Sequence, residues 1–405
     1  MAFPEARSAR WVLAICCATV IFDGYDLITF GAVVPSLLHY EPWHLNAAEI
    51  GRIGSLALVG MLIGALVVGT LTDLAGRRRI MLLCLVWFSV AMPLTGLAPD
   101  PLTFGILRFV TGLGLGGVVP TAIALTIEHA PPGRRQLYNA IMFSGYSAGG
   151  VLAALLALVA LPVGGFRIMF FFGAAPLVLI LPLAYWLLPE SKAFLSAREV
   201  RTKRFESIRL LFTRRYLVAT LLFWLMSLLG LLLVYGLNTW LPELMRRSGY
   251  SMASSLTFLL VFNVGAVIGV IGAAALADRV GERTVLVGAF VVAAGSVVLF
   301  AAHPSPVLLL ILAAVAGFGA NSQTLVNAFV GGYYPPAARA TALGWALAVG
   351  RVGAILGPAL GGLIVTAVQT GLLSPQWNFY AFAFPAILAA ALVIAVPSVS
   401  ATVKD

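Results

Sequence analysis

Twelve apolar stretches, each long enough to cross a lipid bilayer, follow one another along this chain. They lie at about 11–38, 50–72, 80–98, 102–128, 137–161, 166–188, 216–241, 253–277, 284–302, 306–330, 340–367 and 378–397. A helix needs about 20 apolar residues to span the hydrocarbon. A backbone in lipid must satisfy its hydrogen bonds within itself, so each stretch is expected to be a helix. Composition agrees: 61% of the 405 residues are hydrophobic and 10% charged, and mean hydropathy is +1.02. Water-soluble domains do not have this make-up. The expected fold class is an all-α membrane protein of twelve transmembrane helices. Little chain remains outside the spans for a catalytic domain, so the chain reads as a non-enzyme without a cofactor.

The formal net charge is +10, which by itself would suit a nucleic-acid partner. The positions of the charges argue otherwise. With the N-terminus placed in the cytoplasm, the inner loops hold Arg7, Arg10, Arg77 to Arg79, Arg134, Arg135, Arg279, Arg283, Arg339 and the basic 191–215 stretch. Arg52, Arg167, Arg246 and Arg247 fall outside. That bias orients a membrane protein with both termini cytoplasmic. The partner it implies is the bilayer, not nucleic acid. Arg7 and Arg10 followed by an apolar run resemble a leader, but the run continues past Asp26 to Leu38 and reads as a span.

The chain repeats itself at a fixed offset of 205 residues. Gly60 pairs with Gly265, Asp73 with Asp278, Gly76 with Gly281, Pro101 with Pro306, Gly112 with Gly317 and Arg134 with Arg339. Keeping Asp, Pro and Arg in register as well as Gly sets this apart from composition. The repeat divides the chain into a six-helix half at 1–188, a cytoplasmic connector at 189–215 and a second half at 216–405, pseudo-symmetric and in the same orientation. Parallel repeats are a known transporter plan, with the site near midplane at the repeat interface.

Asp23 and Asp26 stand inside the first span, which carries no Lys or Arg between Trp11 and Leu38. Each carboxylate costs about 2.5–3.5 kcal/mol there on insertion scales. Their spacing puts both on one helical face. Such a pair is a simple device for carrying a proton; the competing reading is neutralisation of a buried arginine. Two arginines qualify, Arg108 and Arg351. Arg351 lies at a depth similar to that of Asp23, and its repeat equivalent is Tyr146. The shared scaffold therefore does not require the charge. A guanidinium can grip a substrate carboxylate through two hydrogen bonds. Arg108 lies nearer the outer face, and its equivalent is Ala313.

Amides gather in the second half: Asn238, Asn263, Asn321, Gln323 and Asn327. They would suit hydroxyl groups on a ring, and Tyr146, Tyr235 and Phe318 could stack on one. Helix–helix hydrogen bonding accounts for such amides equally well. Asp73, Arg77, Arg78, Glu128, Arg134 and Arg135 form a charge set at the cytoplasmic helix ends, suited to a latch. Cys16, Cys17 and Cys84 lie in spans without metal or disulfide spacing. His39, His44, His129 and His303 sit at span ends or in loops, and no metal site is expected.

The run Gly69-Thr-Leu-Thr-Asp73-Leu-Ala-Gly76-Arg77-Arg78-Arg79 resembles the loop signature of the major facilitator superfamily. The copy at Asp278-Arg279-Val280-Gly281 resembles its partner, and Arg108 to Gly114 resembles that superfamily's fourth-helix motif. Asp23-Gly24-Tyr25-Asp26, Pro189-Glu190-Ser191 and the Gly350 to Pro358 run resemble the aromatic acid:proton symporters. One departure is Leu74, where the loop signature has a basic residue; the second half keeps it as Arg279. The resemblance implies a bacterial inner-membrane protein that imports a small aromatic carboxylate with a proton. Proton coupling falls to Asp23 and Asp26. Substrate contact falls to Arg351, Arg108, Tyr146, Asn238, Asn321, Gln323 and Asn327. Gating falls to Asp73, Arg77, Arg78, Glu128, Arg135 and Asp278. A monomer is expected. The alternatives are a proton-driven exporter on the same fold and, of another class, a membrane receptor for aromatic acids. Two acids with a buried arginine suit an anion better than a lipophilic cation, and the connector is too short for a signalling domain.

Overall fold

The computed structural model describes residues 5–131, 134–190, 209–302, 304–320 and 323–397. Among these residues the regular elements are helices. They are α1 (Glu5–Leu38), α2 (Ala47–Ala75), α3 (Arg77–Gly96), α4 (Pro101–Leu115), α5 (Val118–His129) and α6 (Arg135–Phe171), then the short α7 (Ala175–Leu179) and α8 (Leu181–Leu187). They continue as α9 (Leu217–Arg247), α10 (Met252–Val280), α11 (Glu282–Phe300), α12 (Pro306–Ala320), α13 (Gln323–Tyr333), α14 (Pro336–Gln369) and α15 (Trp377–Ala395).

Eleven helical stretches are long and apolar enough to cross a membrane, and one of them, Leu137–Leu187, has 51 residues. As a single straight helix it would run about 75 Å, more than twice the hydrocarbon thickness. It is broken at Gly165, whose φ of 62° and ψ of −170° leave the helical region. The stretch therefore supplies two crossings, and the described residues make twelve. The span expected unbroken at 102–128 is also interrupted. Gly116 and Gly117 separate α4 from α5, because their missing side chains let the backbone meet Met61 and Ala65 on α2 and the side chains of Cys84 and Val68.

The 205-residue repeat extends to the positions where helices start. Ala47, Arg77, Pro101 and Val118 open α2 to α5, and Met252, Glu282, Pro306 and Gln323 open α10 to α13. Gly76 and Gly281 turn the chain with matching φ of 90° and 89°, a left-handed conformation that glycine alone adopts without strain. Packing repeats too. Gly60 and Gly64 lie against the backbones of Phe109 and Leu113, and Gly265 and Gly269 lie against those of Ala314 and Phe318.

Local chemistry sets several helix starts. Asn46 and Glu49 exchange backbone-to-side-chain hydrogen bonds of 2.9 Å each, a capping box that opens α2. Asp100 caps α4, accepting from the Thr103 N–H at 2.9 Å and its hydroxyl at 2.7 Å. Those two bonds hold the Asp100 carboxyl below its ordinary range. Pro101 follows at the first helical position, where no N–H is needed.

The chain forms two compact units, one of residues 1–198 with 238–263 and the other of 199–237 with 264–405. In the first, α1 packs on α6 with backbones nearly touching. Gly24 faces the Tyr146 backbone, and Gly149 faces those of Ile21 and Tyr25. Residues 238–263 join this unit where the Asn238 and Thr239 backbone meets Gly31 and the Asn263 side chain lies against Gly150. In the second, Phe223, Phe290, Tyr333 and Tyr334 centre an aromatic core. Tyr334, just past α13, shares a 2.7 Å hydrogen bond with Thr220, and burial pushes its hydroxyl up to about 12. Large apolar side chains remain exposed, among them Val163, Trp186 and Leu102. This is the surface a bilayer covers. The connector expected at 189–215 falls mostly outside the described residues, which resume at residue 209.

Candidate transport site

In the first unit the chemistry gathers on one face of α1. Asp23 and Asp26 are both buried, at 1% and 0% exposure. The Arg108 guanidinium reaches Asp26 from α4, with one terminal nitrogen 2.8 Å from each carboxylate oxygen. Arg108 is itself 1% exposed. Matching helical spacing builds the pair. Asp26 and Phe30 are four residues apart on α1, as are Phe104 and Arg108 on α4. Arg108 lies 5.3 Å over the Phe30 ring, and Phe30 stacks on Phe104 at 6.5 Å. The aromatic pair keeps water from the ion pair on that side. Within the apolar interior each charge is tolerable because the other is there. The Arg108 Nε is buried with no hydrogen-bond partner among the described residues.

The reading of Arg108 as a substrate contact thus meets a competing partner, since its guanidinium is engaged by Asp26. Sequence spacing gives no hint of this pair, whose members lie 82 positions apart. Tyr146 is half-buried on α6, with its backbone against Gly24 between the two aspartates. Asn238 accepts from the Asn263 amide at 3.1 Å, and that amide also donates to the Leu259 carbonyl at 3.0 Å.

In the second unit Arg351 is half-buried on α14 and donates to the Tyr235 hydroxyl at 3.5 Å. The Gln323 amide donates to Asn327 Oδ1 at 3.2 Å and to Ser227 Oγ at 3.5 Å. Ser227 lies against Gly350, the residue before Arg351, so the arginine and the amides share one neighbourhood. Gln323 Oε1 is buried without a partner among the described residues. Asn321 lies outside the described residues, as do the side chains of Asp73 and Asp278.

The charge set at the other helix ends is partly assembled. Arg77 pairs with Glu128, both partly exposed. The Arg78 backbone N–H donates to Glu190 at 3.1 Å and its guanidinium to the Tyr185 carbonyl. Arg134 and Arg135 are exposed. One carboxylate escaped the sequence reading. Glu243 is fully buried on α9, with Arg246 at 3.2 Å and Arg247 at 2.7 Å. Arg246 continues to the His39 ring at the end of α1. The signal was present, since an acid three and four residues before two arginines is a helical ion-pair spacing. Ser227 carried no comparable signal.

Comparison with known proteins identifies the architecture. The sequence model of the Major Facilitator Superfamily matches residues 16–276 and 257–404. This chain belongs to that superfamily. Solved structures agree on the fold. A D-xylose-proton symporter superposes with a TM-score of 0.80 at 18% identity, covering 95% of this chain and 96% of that one. The nucleoside transporter NupG gives 0.76 at 15%, covering 96% and 100%. Among known proteins, the benzoate transport protein of Acinetobacter baylyi is 36% identical over 93% of this chain and 87% of that one. The gentisate transporter of Corynebacterium glutamicum is 40% identical over 92% and 84%. The gallate transporter of Pseudomonas putida is 33% identical over 97% and 92%.

Proposed function

We propose that this protein imports a small aromatic carboxylate together with a proton, by alternating access, across the bacterial inner membrane with both termini cytoplasmic. The observation that carries the reading is the chemistry shared by its relatives: benzoate, gentisate and gallate are each one carboxylate on one ring. They align over more than nine-tenths of this chain. The residues support the same chemistry. Arg351 offers a fork of donors for a carboxylate, with the Tyr235 hydroxyl beside it. Gln323, Asn327 and Ser227 offer donors and acceptors to ring hydroxyls, and the buried Gln323 Oε1 would accept from one.

Asp23 and Asp26 carry the proton. With Asp26 ionised, Arg108 holds it in the pair described above. With Asp26 protonated, Arg108 loses its counter-charge in an apolar setting, so the pair favours rearrangement when the proton arrives. The buried pair thus links proton loading to the packing of α1 on α4. Arg77 with Glu128, and Arg78 with Glu190, act as latches at the opposite helix ends, with Asp73, Arg135 and Asp278 assigned to the same task. The protein works as a monomer with no cofactor and no catalytic step.

The test is uptake of labelled benzoate, hydroxybenzoates, gentisate and phenylpropionates by expressing cells, with and without a protonophore. Protonophore-sensitive accumulation of at least one acid supports the reading. Failure with every acid, alongside transport of a non-aromatic solute, would overturn the substrate class.

A further inference from the structure

A groove of about 610 Å³ runs down the outer surface of the first unit between α3 and α8. Leu82, Leu83 and Val86 line it from α3, and Leu181, Tyr185 and Trp186 from α8. Leu83, Val86, Tyr185 and Trp186 are exposed, Trp186 to 79%. The transport reading uses Arg78 beside this groove as a latch but gives the apolar groove itself no role.

The groove is chemically graded along its length. Arg78, Leu82 and Val86 succeed one another at four-residue steps on α3, and Arg79 precedes Leu83 by the same step, so each row carries a guanidinium at one end and apolar side chains beyond it. The rise from Arg78 to Val86 is about 12 Å, comparable to the roughly 15 Å hydrocarbon depth of one leaflet. On α8 the aromatic Tyr185 and Trp186 stand at the arginine end and Leu181 lies one turn deeper. The Arg78 guanidinium sits 5.6 Å over the Tyr185 ring, and its Nε is buried with no partner among the described residues. Arg79 is exposed. The nearby acid, Glu190, is turned to the Arg78 backbone N–H and to Gly76.

The fold does not require this arrangement, as the second half shows. There Arg283 replaces Arg78 and donates to the Ile394 carbonyl, as Arg78 does to that of Tyr185. The equivalents of Arg79 and Leu83 are Thr284 and Gly288, and Ile394 offers no ring. The structural clamp is therefore common to both halves, whereas the second cation, the aromatic shelf and the leucine wall belong to the first alone.

We propose that this groove binds an anionic phospholipid, its phosphate held by Arg78 and Arg79 at the aromatic shelf and an acyl chain lying along Leu82, Leu83 and Val86. Interfacial aromatics and basic side chains at headgroup depth are the elements that recognise such a lipid. The apolar rows below them match a chain rather than a soluble ligand.

The experiment reconstitutes the full chain in phosphatidylcholine nanodiscs doped with photoactivatable phosphatidylglycerol and maps the crosslinked peptides. Crosslinks are expected within 78–86 and 181–186. Arg79→Gln should cut their yield about fivefold, the weight of one basic residue at an anionic surface. Leu83→Trp, which fills the groove, should abolish them while the melting temperature stays at the wild-type value. A photoactivatable phosphatidylcholine should not label the site. Labelling spread evenly over the apolar belt, equal labelling by both lipids, or no effect of Arg79→Gln would each overturn the proposal.

Discussion

The pair of Asp26 and Arg108 allows the most demanding test of how charge is held in this protein. Both side chains are essentially inaccessible, at 0% and 1% exposure, and both carboxylate oxygens lie 2.8 Å from one guanidinium nitrogen. Removing one member of such a pair leaves a charge in an apolar interior and costs about 3–5 kcal/mol. Asp26→Asn strands the guanidinium; Arg108→Met strands the carboxylate. Removing both strands neither, so the double variant should be destabilised by much less than the sum. A coupling energy of about 2 kcal/mol or more, at the upper end for residues in direct contact, is the expected result. The assay is unfolding of the four proteins in the same detergent. A second readout separates structure from function: the double variant should be well folded yet unable to accumulate substrate against a gradient. Additive costs, or single variants within about 0.5 kcal/mol of wild type, would refute a mutually dependent pair.

Three further outcomes are expected. Arg351→Lys and Arg351→Ala should both weaken binding of the aromatic acid to purified protein by about tenfold to a hundredfold, because an ammonium cannot reproduce the planar fork; near wild-type affinity in both would remove Arg351 from the carboxylate. Glu128→Gln should slow turnover more than it weakens binding, and exchanging the charges in Arg77→Glu with Glu128→Arg should recover part of the rate; a pure affinity change would contradict the latch. Asp100→Ala should lower the melting temperature at neutral pH, with the difference shrinking in acid. The Asp100 carboxyl is held below its ordinary range, so its contribution is present above that range and lost as pH falls through the lowered value. A difference that grows in acid would show the sign to be wrong.

Features set by short-range physics could be read from the chain. Span number followed from hydropathy, and the 205-residue offset anticipated matching helix starts such as Pro101 and Pro306. The interruptions were harder to see. Gly116 and Gly117 sit among other glycines that favour close packing, and only the positions of α2 and α3 make them a break. Partners of buried polar groups were harder still. Asp26 and Arg108 were each evident as costly residues, but which cation meets which acid depends on how α1 and α4 are rotated. Asn238 is a similar case: its sequence position does not announce that its side-chain oxygen accepts from the Asn263 amide on the next helix. Glu243 is a carboxylate whose burial is invisible in the sequence, because two arginines at the outer helix end read equally well as charge at the membrane surface.

The central claim is that an aromatic acid and a proton move together through a path that requires the α1 acids. The most direct measurement is proton flux in proteoliposomes. An inward gradient of the carboxylate is imposed without a pH gradient while internal pH is recorded, with protein-free vesicles as the reference for leakage of the neutral acid and a permanently charged aromatic sulfonate added as competitor. Wild-type vesicles should acidify with the carboxylate well above the protein-free rate. The sulfonate should slow that acidification, and the Asp23→Asn with Asp26→Asn protein should fall to the protein-free rate. Substrate entry without acidification, or undiminished proton entry in the doubly substituted protein, would contradict the account.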